Sequence, residues 1–393
     1  MKSLNYADKI NNLKHAVLYM LEERSNDFQQ TDSELPAPIW TEALSVFDYM
    51  MNLSEQNFLN IRFHTGLITG SSILEYWHQY PPVDPKRVAQ RIGYKFYTDN
   101  IPEAYWIGEP PTPKIPRPIG ANYKGRIINS DIYRYQSCIS NLYSMGILTS
   151  LLEEKGRNLI LEIGGGYGGL AHQLGNILAQ NSTYIILDLP EMLLCSGGYL
   201  IVNNPEKNIY IYEKRTFTPE FLTSEIYNYD YVLLPNYVLE DLYTLPEINL
   251  MINMQSFQEM TEEQVNDYVK LGHSKLSGYL YSDNIDVHPF NNDLAPNTVT
   301  ALLAKYFRLF PPPEFYGKVI ENRSPWFYKL YIGVGKDKDL IFPQGATMKL
   351  RTLLATYSLA NKKDGVKIKV KRNWMGYLIT LPYKFVVEVL KRQ

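Results

Sequence analysis

Residues 159–170 read Leu159-Ile160-Leu161-Glu162-Ile163-Gly164-Gly165-Gly166-Tyr167-Gly168-Gly169-Leu170. The apolar run 159–163 predicts a buried strand, the glycines a tight loop, and residues 168–179 a helix. Glycine accepts a sharp turn and lets a ligand approach bare backbone amides at a helix start. The same alternation continues outward. A helix is expected over 130–154, strands over 183–187, 231–234, 248–254 and 279–282, a helix over 191–202, and a late strand over 326–334. Thr261 and Gln264 have the spacing of a capping box, so a further helix starts there. Residues 208–215 fit either a sheet strand or an inserted hairpin. Strands alternating with helices predict an α/β protein with a mostly parallel, doubly wound sheet.

The loop satisfies two fingerprints at once. Gly164, Gly166 and Gly169 fit G-x-G-x-x-G, the dinucleotide motif. Glu162, Gly164, Gly166 and Gly168 fit E-x-G-x-G-x-G, the loop of S-adenosylmethionine (SAM) methyltransferases. Asp188, at the end of the second strand, suits either, because both ligands carry a ribose diol that a carboxylate can accept from. Glu162 favours SAM. A carboxylate inside an apolar strand costs several kcal/mol unless it is well hydrogen-bonded, and a dinucleotide site has no use for one there. A glycine turn that binds nothing is the third reading.

Composition narrows the remainder. The chain has 393 residues and a formal net charge of -2, with 45% hydrophobic and 20% charged residues. This excludes wholesale disorder and a nucleic-acid binder working through bulk positive charge. The balance is uneven: over residues 361–393, nine lysines and arginines oppose only Asp364 and Glu388, a local +7, which leaves -9 elsewhere. Two cysteines, Cys138 and Cys195, make neither a disulfide framework nor a thiolate metal site. They fit a reducing, cytoplasmic setting. The first 24 residues lack a signal-peptide pattern, and no apolar run reaches the ~18 residues that would span a membrane.

With LEIGGGYGGL (161–170), IILDLPE (185–191), INMQSFQEM (252–260) and GYLYSDN (278–284), the chain resembles the bacterial sugar O-methyltransferase family, within the class I SAM-dependent methyltransferases. The resemblance covers roughly residues 130–335. It implies a Rossmann-like domain, SAM as cofactor, and an acceptor hydroxyl on a sugar, sugar nucleotide or glycan, as in a surface-polysaccharide pathway; an O-methyltransferase of a non-sugar small molecule and a SAM-binding scaffold without turnover are the rival readings. Carried over by position, Gly164, Gly165, Gly166 and Gly168 shape the methionine and ribose pocket with Glu162. Asp188 takes the ribose hydroxyls, Leu189 packs on adenine, and Pro235 and Asn236 lie near the adenine edge. Asn253, Ser256 and Glu259 fall between cofactor and acceptor. The long segment 208–229 departs from the pattern and leaves the third strand's register open.

Methyl transfer to a sugar hydroxyl needs a positioned base. Glu259 is the first candidate, because it follows a strand C-terminus, where ligands bind in this architecture. It could equally serve as a helix-start carboxylate beside Thr261. His288 is the second candidate; Asp283, His172 and His273 are weaker ones. Tyr135 and Gln136, on the helix leading into the domain, are candidates to close over the ligands, alongside Ser256 on the acceptor side. Asp283, Asp286 and Glu259 follow no recognised ligand spacing, so no metal is expected.

Three regions are expected: a mainly helical accessory region with a proline-rich strap (1–128), the methyltransferase domain (129–335) and a basic extension (336–393). Within the first, apolar spacing predicts helices over the initial residues and again over 41–60. Basic residues among aromatics and leucines in the extension suit an anionic membrane surface. They suit equally a packed helix with a solvated lysine face. Peripheral contact with the inner face of the membrane is therefore an expectation for the tail alone.

Overall fold

A computed structural model describes residues 6–27, 35–37, 40, 44, 47–65, 94–99, 101–111, 119–286, 298–310 and 328–338. The basic extension and His288 lie outside these residues, as does most of the proline-rich strap. In chain order the strands are β1 (Ala121–Tyr123), β2 (Arg126–Ile128), β3 (Asn158–Ile163), β4 (Ser182–Asp188), β5 (Ile209–Ile211), β6 (Tyr231–Pro235), β7 (Ile248–Met254), β8 (Leu276–Ile285), β9 (Phe307–Phe310) and β10 (Tyr328–Gly335). The main helices are α1 (Tyr6–Asp27), α2 (Ser130–Ser144), α3 (Ile147–Glu153), α4 (Gly169–Leu178), α5 (Pro190–Asn203) and α6 (Glu262–Lys275).

β1 and β2 form a separate antiparallel hairpin, and the other strands form one sheet in the order β5-β6-β4-β3-β7-β8-β10-β9. The pairs from β5 to β8 are parallel; β10 runs antiparallel to both β8 and β9. This is a Rossmann-like α/β fold. Every residue of β3 and β4 is buried, which is why these strands read as near-continuous apolar runs. β4 and β7 flank β3, so the winding reverses between β3 and β7. Open α/β sheets bind ligands at such a reversal, outside the strand C-termini.

The ambiguous 208–215 stretch supplies β5, an edge strand parallel to β6. The third strand's register follows: Asp188 of β4 stands beside Pro235 of β6. Two expectations need correction. The single helix over 130–154 is two, because Gly146 takes the left-handed conformation (φ 75°) and starts α3 in a new direction. The expected helix over 41–60 is broken within its described residues, where Asp48–Met51 and Glu55–Phe58 are separate one-turn pieces. Ser54 is extended there and accepts from Asn57 N instead, as short polar side chains do when they compete with a helix. The hairpin β1–β2 and strand β9 had no separate signal in the sequence.

α1 lies along α5, and the described N-terminal residues share the sheet's hydrophobic core: Ile10, Leu13, Val17, Phe58 and Ile61 are buried in it. The sequence of α5 permits this approach. A Cβ on Gly197 would stand 2.7 Å from Leu13 Cδ1, and one on Gly198 would stand 2.9 Å from Ile61 Cδ1. An ion pair between Arg24 and Glu191, at 2.6 Å, fastens the outer end of α1. Among the described residues no helix is long and apolar enough to cross a membrane.

Candidate active site

The reversal between β3 and β7 is held by one buried carboxamide. Asn253, at the end of β7, donates to Ile163 O of β3 (3.0 Å) and to Ser256 Oγ (2.6 Å). Its Oδ1 accepts from Phe257 N (3.2 Å) and from Asn284 Nδ2 on β8 (2.9 Å). All its bonding capacity is spent on the frame, and it does not line the cavity beside it. Its expected place against the cofactor is thus corrected to a clamp across the strand ends. Ser256 does line the cavity, and its hydroxyl also donates to Ile163 O (3.2 Å).

That clamp presses on the glycine loop. Gly164 has φ 68°, and a Cβ there would lie 2.2 Å from Ser256 Oγ. Only glycine meets both demands. Gly168 is also left-handed (φ 83°), but its added Cβ would meet Ser196 of α5 at 3.1 Å. Gly168 does not line the cavity; it lets α4 pack on α5, which corrects its expected pocket role. Gly164, Gly165 and Gly166 face the cavity.

Three carboxylates converge there. Asp188 accepts from Gly166 N (3.0 Å) and Leu189 N (2.8 Å), so it buttresses the loop it faces. Burial raises its pKa to about 7 against these hydrogen bonds. Glu162 is 3% exposed and accepts from Tyr184 OH at 3.0 Å. Burial raises its pKa to about 8, and the Tyr184 hydrogen bond offsets part of the shift. Glu259, on the 3-10 turn Phe257–Glu259, is pushed up to about 7 by burial, opposed by a hydrogen bond from Trp40 and the charge of Arg134. Tyr135, Leu189 and Asn236 complete the expected lining.

Gln136 is fully buried elsewhere. It accepts from Ile107 N (2.9 Å) and donates to Tyr105 O (3.1 Å) and Ser140 Oγ (3.2 Å). Its expected substrate contact is therefore corrected to a tie between α2 and the segment before β1. His172 is also buried away from the cavity, against Asn204 (3.1 Å), and burial lowers its pKa to about 4. His273, on α6, stands 3.8 Å from Asp337.

Other cavity residues went unnoticed in the sequence. Arg134 faces the cavity one position before Tyr135; it donates to Asp131 (2.8 Å) and to Gln255. Gln255 is a non-glycine residue at φ 63°, and such strain gathers at functional sites, but φ is not readable from residue type. Leu35, Ala37 and Trp40 cover the cavity from the N-terminal region, and Gln264 of the capping box donates to Leu35 O at 2.7 Å. Only contact across more than 200 residues brings them there, and local patterning carries no trace of that.

The donor set fits SAM. A glycine loop, bonded through Gly166 N to Asp188 and through Gly164 N to Leu187 O, stands beside a carboxylate at the end of the second strand, and Glu162 and Glu259 line the same cavity. The glycines leave room that a Cβ would fill. No protein-family model matches the chain, and no curated protein does. Among solved structures, the chain is similar to an O-methyltransferase family protein from Burkholderia thailandensis: 14% identity, TM-score 0.27, covering 51% of this chain and 61% of that one. It is similar also to the mitomycin 7-O-methyltransferase MmcR: 12% identity, TM-score 0.28, covering 52% and 57%. A third is human N-acetylserotonin methyltransferase in complex with SAM: 14% identity, TM-score 0.26, covering 52% and 56%. The chain thus spans about three-fifths of the length of the first two. Similarity at this level carries nothing about substrate.

Proposed function

We propose that this protein is a SAM-dependent O-methyltransferase whose acceptor is a hydroxyl of a sugar, sugar nucleotide or glycan. The observation that carries the first part is the cavity at the β3/β7 reversal, with Asp188 braced against the loop by Gly166 N and with Glu162 buried at its floor. The sugar acceptor rests on the resemblance of the 252–260 and 278–284 segments.

In this reading Asp188 accepts from the ribose hydroxyls, and Leu189 and Asn236 border the adenine. Glu162, protonated near neutral pH in the empty fold, would ionise opposite the positive charge of the methionine end. When bound, SAM supplies a methyl group on a sulfonium, already activated for in-line displacement. The protein's own work is to place the acceptor oxygen and remove its proton. Glu259 is the base: its pKa of about 7 suits a group that must take a proton near neutral pH. Trp40 fixes its carboxylate by hydrogen bonding and, with Leu35, restricts water at the cavity mouth. The basic segment 362–392 is proposed as a contact with an anionic lipid surface, where a lipid-linked acceptor would be met.

Calorimetry with SAM and NADH tests the cofactor, and transfer of labelled methyl from SAM to a panel of nucleotide sugars and glycans tests the acceptor. SAM binding that Asp188→Ala weakens at least tenfold is expected. Binding of NADH without SAM refutes the cofactor, and SAM binding with no transfer to any sugar acceptor refutes the sugar.

A further inference from the structure

Four ionisable acidic or basic side chains line the cavity among the described residues: the carboxyl groups of Glu162, Asp188 and Glu259 and a single cation, Arg134. A ligand whose end carries both an ammonium and a carboxylate meets an asymmetric demand there. Its ammonium has carboxylates to face. Its own carboxylate, set among three others, is repelled unless a cation stands opposite.

Arg134 is placed for that. It lies on α2, whose next residue, Tyr135, packs its ring on Tyr167 of the glycine loop (centroids 6.2 Å), and its positive charge reaches Glu162, Glu259 and Asp283, opposing the effect of burial on each. Its charge therefore reaches two of the three carboxylates that line the cavity, Glu162 and Glu259. Its fork is held in place. One end donates to Asp131 at 2.8 Å, and Asp131 is in turn bound by buried Arg62 at 2.6 Å. The other end donates to Gln255, the strained residue just past the end of β7, whose N–H donates to Asp283 O at 2.8 Å. A planar guanidinium fixed this way is preorganised for two parallel bonds to a carboxylate.

We infer that Arg134 receives the carboxylate at the methionyl end of the cofactor. This assignment rests on the SAM reading and names the residue that would discriminate intact cofactor from fragments lacking the amino-acid moiety. Asp131 keeps Arg62 as a partner when Arg134 is replaced, so the buried frame retains a cation on that carboxylate.

Calorimetry on the full chain with SAM, S-adenosylhomocysteine and methylthioadenosine separates the possibilities, because the last has the nucleoside and sulfur but no carboxylate. Arg134→Met is expected to weaken SAM and S-adenosylhomocysteine about 10- to 100-fold, the scale of a lost charge-assisted pair, with methylthioadenosine unchanged. Arg134→Lys, which keeps the charge and loses the fork, falls between. Equal loss for all three ligands, or unchanged SAM affinity in Arg134→Met, overturns the assignment. A wild-type protein that binds neither SAM nor S-adenosylhomocysteine defeats the cofactor reading instead.

Discussion

Gly164→Ala is the sharpest probe of how the strand ends and the glycine loop depend on each other. The added methyl group meets two costs. The backbone stands at φ 68°, where an L-residue is disfavoured by roughly 1–2 kcal/mol. Its Cβ also falls 2.2 Å from Ser256 Oγ and 2.4 Å from Ser256 Cβ, an overlap of the kind that costs about 1–3 kcal/mol on relaxation. Ser256 cannot retreat freely, because Asn253 and Ile163 O hold its hydroxyl. A total loss of about 2–5 kcal/mol is expected by urea unfolding, with SAM binding abolished. Ser256→Gly removes the atoms that collide but leaves the φ strain. Gly164→Ala/Ser256→Gly should therefore be less destabilised than the two single changes summed, by at least ~1 kcal/mol, well beyond the usual additivity error of ~0.5 kcal/mol. Strict additivity in this cycle would refute the proposed contact and, with it, the account of why residue 164 is glycine.

Three further outcomes follow from the same geometry. Glu162, with a pKa of about 8 in the fold against an ordinary 4.5, is protonated in the folded chain and ionised in the unfolded one between those values. Folding therefore takes up a proton, and stability falls as pH rises toward 8. In Glu162→Gln the decline should end near pH 7, where Asp188, Glu259 and Asp283 titrate; identical urea midpoints against pH in both proteins would contradict this. Arg62→Met strands Glu109 without its 3.0 Å partner, and breaking such a buried pair costs about 3–5 kcal/mol, readable as a lower urea midpoint; a loss under ~1 kcal/mol would show the network is not needed. Glu259→Gln should abolish methyl transfer while SAM affinity measured by calorimetry stays within about threefold, and retained turnover would remove Glu259 from the base role.

What was legible in the sequence divides along the range of the forces concerned. The strand–loop–helix at 159–170 and the capping box at Thr261 depend on neighbours a few residues away, and both stand where patterning put them. Asp188, Leu189 and Glu259 reach the cavity for a related reason: each stands at or just beyond a strand C-terminus, and an alternating pattern already fixes which sheet end that is. Residue type alone was a poorer guide within those loops. Asn253 and Gln136 have the chemistry to bind a ligand, yet each is fully buried and bonded to the frame. Their neighbours Gln255 and Arg134 face the cavity instead. Each pair is two positions apart: on a helix that turns a side chain to nearly the opposite face, and past the end of β7 the left-handed backbone of Gln255 (φ 63°) breaks the strand's alternation, so motif spacing located the right turn and missed the right residue by two places. The helix over 41–60 failed for the opposite reason: its apolar spacing is real, and Met50 and Phe58 are buried in the core. Yet Ser54 offers the backbone a competing hydrogen bond, and packing against α5 rewards two separate turns as well as one continuous helix.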